Sequence, residues 1–138
     1  VSSSVYGVCQ HSDLLLKGQA LKQREQQLRF VVQQASQLAA ADCAAHDPAN
    51  EVFGCEARVW VSCHWPHGVL QLQVDSEARV VKGLLTLIHQ ALHGANREQV
   101  AQYDLDSHFA ALNLQNYLTV SRRNGLRAVV ARIQGNSV

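Results

Sequence analysis

The sequence predicts an α+β fold, a small antiparallel sheet with helices packed on one face. Three observations lead there. Val59, Val61, Cys63 and Trp65 alternate with Trp60, Ser62 and His64, and beyond Pro66-His67-Gly68 the alternation resumes as Leu70, Leu72 and Val74 against Gln71, Gln73 and Asp75. A period of two broken by a proline–glycine turn is the pattern of a β-hairpin with one apolar face. On both sides of that hairpin, apolar residues recur at helical spacing. Strands and helices are segregated along the chain, so helices layered on a sheet are expected.

Residues 1–12 read as a loose lead-in. From Asp13 to about Ala41 the chain is rich in Leu, Gln and Ala, a region that Gly18 breaks into two helices, and Leu21, Leu28, Val31, Val32, Ala35 and Leu38 form one helical stripe. The glutamines between Gln23 and Gln37 are assigned to the solvated face of that helix. Asp47-Pro48 signals a turn and delivers the chain to Gly54 and Cys55 ahead of the hairpin. Ser76 is expected to cap a helix with Glu77 in its first turn and Val81, Leu84, Leu85, Ile88 and Leu92 inward. Gly94 stops it. Asn96 with Gln99 forms a capping box for a short helix, and Asp106 caps a second one carrying Phe109 and Leu112. A last helix opens at Thr119 or Ser121, buries Leu126, Val129, Val130 and Ile133, and ends at Gly135.

The chain reads as one domain over residues 1–138, long enough to bury a core. Its 12 basic and 11 acidic side chains give a net charge of +1, without the basic excess of a nucleic-acid binder. No apolar run approaches the roughly 18 residues a membrane span needs, and Val1–Tyr6 lacks the features of a secretory signal. Cytoplasmic location is the expectation, and with it free thiols at Cys9, Cys43, Cys55 and Cys63.

Cys55 is the candidate reactive residue. It follows a glycine and precedes the alternating run, so it falls at the end of an element, where a thiol is carried by a rigid strand yet not locked in it. An ordinary thiol has a pKa of about 8.5; Arg58 stands near enough in sequence to favour the thiolate, and Glu56 opposes it. Cys63 shares the strand face of Val59, Val61 and Trp65 and reads as core. Cys9 and Cys43 have no persuasive chemical setting. Two other readings compete: a zinc-binding module using Cys43, His46, Cys63 and His67, and a plain interaction domain with structural cysteines. His89 and His93 have the spacing of zinc hydrolase ligands, but Gln90 stands where those enzymes carry glutamate, so a solvated helix face is assigned.

Four blocks resemble the SufE family of sulfur acceptors. Asn50-Glu51-Val52-Phe53-Gly54-Cys55 with Glu56-Ala57-Arg58-Val59-Trp60 is similar to its active cysteine segment, and Asp75 to Leu85 to its second block. Leu112-Asn113-Leu114 with Leu118-Thr119, then Ser121-Arg122-Arg123-Asn124-Gly125-Leu126, resemble the entry to its final helix. Ala57 departs from the small hydroxyl residue of many members, and Arg123 from a small polar one. Glu56, Arg58 and Arg79 lean slightly toward the CsdE branch. The resemblance implies an α+β fold like the IscU scaffold's. It implies a carrier and activator, without a cofactor and not an enzyme in its own right. Cys55 would accept persulfide sulfur from a PLP-dependent cysteine desulfurase of the SufS/CsdA kind and pass it to an iron–sulfur scaffold. It further implies supporting or partner-binding roles for Gly54, Arg58, Glu77, Arg79 and Arg122, and a resting Cys55 shielded by apolar neighbours yet movable.

Overall fold

A computed structural model describes residues 24–54, 56–115 and 118–135. Its sheet has three antiparallel strands in the order β1-β2-β3, with β1 at Glu51–Val52, β2 at Val59–His64 and β3 at Gln71–Ser76. The expected hairpin is β2–β3, in register from Val59↔Ser76 to His64↔Gln71. Its turn, Pro66–Gly68, places His67 at φ 57° and Gly68 at φ 76°. The short β1 lies beyond what the sequence pattern predicts. It pairs Glu51 with Trp60 and Val52 with Val59, so residues 53–58 form a second hairpin connection.

That added strand explains a correction. Alternation puts Trp60 on the open face of β2, but it is 2% exposed. The approach to β1 lays His46 flat on the indole, with ring centroids 3.6 Å apart and planes within 5°. The outer edge of β3 is covered as well. Leu70 O accepts from Gly94 N–H at 2.8 Å, Leu72 N–H donates to His93 Nδ1 at 3.1 Å, and Val74 O accepts from Ala44 N–H at 3.1 Å. An edge with its polar groups engaged offers no template for pairing with another chain.

Helix α1 (Arg24–Gln37) packs against α2 (Arg79–Leu92), which in turn lies on β3. The lead-in, Leu21, Gly18 and the first part of the predicted helix lie outside the described residues. Within α1 the buried stripe is Gln27, Phe30, Val31, Gln34 and Ala35, while Leu28 is 43% exposed. Leu28 therefore leaves the predicted stripe, and two glutamines enter it. They are tolerated there because their amides find partners: Gln27 Nε2 donates to Asn113 O at 3.0 Å, and Gln90 Nε2 donates to Gln34 Oε1 at 3.0 Å. Left unpaired, each buried amide would cost about 1–3 kcal/mol.

The cap assignments shift in two places. Helix α2 starts at Arg79, so Glu77 precedes it, and Ser76 ends β3. Ser76 Oγ accepts from Ala78 N–H at 3.2 Å and donates to Arg58 O at 2.8 Å, tying the helix entry to the loop exit. Helix α3 (Arg97–Ala101) has the predicted Asn96–Gln99 capping box. Helix α4 (Leu105–Ala111) is capped by Asp104, whose Oδ1 accepts from Asp106 N–H at 3.1 Å. Asp106 is thereby freed to meet Arg123 at 3.4 Å and Arg127 at 2.7 Å. Helix α5 (Val120–Gly135) opens after Thr119 and buries Leu126, Val129, Val130 and Ile133 as predicted, packing against β1, β2, α3 and α4. Among the described residues no helix is long and apolar enough to cross a membrane.

Candidate functional site

The connection from Phe53 to Arg58 carries the candidate cysteine between two paired strands. Cys55 itself lies outside the described residues, and so do Cys9 and the expected shielding of the thiol. The neighbours are placed. Gly54 has φ 112°, a region that L side chains rarely adopt, and a Cβ added there would meet nothing within 4 Å. The glycine is needed for backbone shape and not for close packing. Phe53 stands beside it, 77% exposed.

The base of this connection is bolted from three sides. Arg58 donates to Glu51 at two points, Nε to Oε2 at 3.2 Å and Nη2 to Oε1 at 3.1 Å, across the β1–β2 stem. That two-point pairing holds the Glu51 carboxyl below its ordinary pKa and raises that of Arg58. The Arg58 guanidinium also lies 5.0 Å from the centre of the Trp60 ring. Arg58, expected to aid the thiolate, is thus engaged with the stem. From α5, Arg132 Nη1 donates to Glu51 O at 3.1 Å and its Nη2 to Ala49 O. Ser76 holds Arg58 O from the far side.

The tip is held differently. Arg122 Nε donates to Glu56 Oε1 at 2.9 Å, joining the first turn of α5 to the residue after Cys55. Both side chains remain partly open to solvent, at 26% and 48%. An ion pair of this exposure contributes about 0–1 kcal/mol and opens readily. Arg122 therefore reaches the residue that follows Cys55. Glu77 and Arg79 lie apart from that contact. With Ser76 and Lys82 they line a cleft of about 420 Å³ between the end of α1 and the start of α2. Ser76 pairs with Val59, which places the cleft's floor beside the loop exit. Sequence reasoning does not reach Arg132 and Glu51. Only recognition of the two-residue strand β1 would have revealed them.

Cys63 packs half-buried against the core, where burial pushes its thiol up to about 11 despite the nearby Arg132. Cys43 is also a free thiol, 3.6 Å from Ala39 O. The zinc set Cys43, His46, Cys63 and His67 is not brought together: His46 is spent on Trp60 and, at 2.7 Å, on Asp75. Among the described residues the cluster whose possible ligand atoms lie close together is Asp42, His89 and His93. The assignment of His89 to a solvated face is corrected here. His89 is 7% exposed, and burial, followed by the adjacent His93, moves its pKa below the ordinary histidine value.

The fold and the bolted cysteine hairpin define a small α+β protein with a thiol on a short connection between strands. A solution structure of a hypothetical protein from Thermus thermophilus has the same fold, with a TM-score of 0.68 at 20% identity over 91% of this chain and 90% of that one. The model of the SufE family, described as an Fe-S metabolism associated domain, matches residues 12–137. The chain belongs to the SufE family, and this ties it to iron–sulfur metabolism.

Proposed function

We propose that this protein is a sulfur acceptor in which Cys55 takes sulfane sulfur from a PLP-dependent cysteine desulfurase, stimulates that enzyme, and passes the sulfur on for cluster assembly. The observation that carries the reading is the family match across residues 12–137; Cys55 is the thiol we assign to it, on the resemblance of the segment around it to the family's active cysteine segment. The geometry of its surroundings supports it. The stem is held by Arg58, Arg132 and Ser76, whereas an exposed Glu56–Arg122 pair holds the tip. A fixed base with a loosely tethered tip lets a side chain reach into a partner's pocket.

The chemistry is thiol exchange. The Cys55 thiolate attacks the outer sulfur of the donor's cysteine persulfide, and a new sulfur–sulfur bond forms on Cys55. The original one breaks, and the donor cysteine departs as a thiolate. Glu77 and Arg79, both exposed beside the loop exit, belong to the partner-binding surface. Within the family we place the chain nearer the CsdE branch on Glu56, Arg58 and Arg79, which predicts stronger stimulation of a CsdA-like than of a SufS-like desulfurase.

The test is the rate at which a desulfurase releases alanine from cysteine in the presence of this protein. The rate is expected to rise with the native chain and to stay at its basal level with Cys55→Ser. Equal stimulation by both proteins would remove Cys55 from the reaction.

A further inference from the structure

Asp42, His89 and His93 take no part in the sulfur transfer described above, yet their arrangement asks for a ligand. Their donor atoms all lie within 4.8 Å of one another. His89, at 7% exposure, has an Nε2 with no hydrogen-bond partner among the described residues. Asp42 Oδ1 stands 3.8 Å from that nitrogen, beyond hydrogen-bond reach. A buried imidazole nitrogen without a partner is costly. The gap it leaves is within the sum of a zinc–nitrogen and a zinc–oxygen bond, roughly 4.1 Å. Beside it opens a cavity of about 260 Å³ lined by Asp42, His64, Leu72 and His93, among others.

We propose that Asp42, His89 and His93 bind a zinc ion, which joins the 40–42 turn to the last turns of α2. Two imidazoles and a carboxylate are ligands that zinc takes, and the cavity supplies room for a water at the fourth position. Residues at i and i+4 share one helix face, which puts both histidines on the side where Asp42 arrives. Gln90 follows His89, so the glutamate that serves zinc proteases as general base is missing beside the first histidine.

Binding competes with a contact already made. The two rings stack with centroids 4.6 Å apart and planes 16° from parallel, and Leu72 N–H donates to His93 Nδ1 at 3.1 Å. Nearly parallel rings do not aim their in-plane lone pairs at one point. Zinc therefore turns His93 out of the stack and releases the Leu72 amide, and Asp42, whose side chain is 31% exposed, rotates to close the remaining distance.

The test titrates Zn²⁺ into the metal-free full chain while following backbone amides by NMR. It is repeated with Asp42→Asn, whose partly exposed side chain makes loss of folding the lesser concern, and with His93→Gln. One equivalent is expected to bind, the Leu72 amide resonance to move, and each variant to weaken binding at least about tenfold. Co²⁺ in place of Zn²⁺ is expected to show visible ligand-field bands without sulfur-to-cobalt charge transfer. Absence of saturable binding overturns the site. Affinity unchanged in both variants, or a thiolate charge-transfer band, does so equally, because the ion then sits elsewhere.

Discussion

Cys63 lies on β2 with its thiol pushed up to about 11 by burial, and Cys55 follows a glycine on the connection that feeds the same strand. At pH 8 a thiol of that pKa is about one part in a thousand thiolate, so Cys63 is expected to resist alkylation. Iodoacetamide labelling followed by peptide mapping should find Cys55 modified well before Cys63; the reverse order would contradict the assignment of roles. Arg122 makes the second prediction at this scale. Its exposed pair with Glu56 orients the loop more than it stabilises the fold. Arg122→Ala is therefore expected to slow single-turnover sulfur acceptance severalfold while changing unfolding free energy by less than about 0.5 kcal/mol. A large loss of stability would make Arg122 a structural residue instead.

Helices α1 and α2 meet at Gly83, where an added Cβ would overlap the Val31 carbonyl, a backbone group that cannot step aside. Gly83→Ala is expected to cost at least about 2 kcal/mol, measured by urea unfolding. A neutral result would mean the two helices are not in close contact there. The elements also show what the sequence made legible. The β2–β3 hairpin, the Asn96–Gln99 box and the inward face of α5 follow from period and cap chemistry, and they stand where expected. The failures have physical causes. Strand β1 is two residues long, too short to display a period, and without it the burial of Trp60 and the Glu51–Arg58 clamp could not be seen. Gln27 and Gln34 read as polar, but their long amides reach partners from a buried stripe. Asp104 and Asp106 are both plausible caps by residue type, and the arginines of α5 claim the second.

Across the whole molecule, Asp75 links three parts of the chain. Its carboxylate meets His46 of the connection at 2.7 Å and Lys82 of α2 at 3.2 Å, from a position on β3. Burial alone would raise its pKa, but bonds from His46, Lys82 and the Ser76 amide outweigh this and lower it from 3.8. A carboxyl depressed in the folded state contributes stability that is fully present above its unfolded pKa. That contribution is lost as pH falls below 3.8 through the folded value. Asp75→Asn is expected to flatten this part of the acid-unfolding curve; an unchanged curve would contradict the linkage. These ties hold the connection, sheet and α2 together behind the cysteine hairpin, while the loop tip is left to an exposed pair. Sulfur carriage by Cys55 is read by non-reducing mass spectrometry after incubation with a cysteine desulfurase and cysteine. One added sulfur atom is expected to map to Cys55 and to be absent from Cys55→Ser. Unmodified Cys55, or sulfur retained in that variant on Cys43 or Cys63, would contradict it.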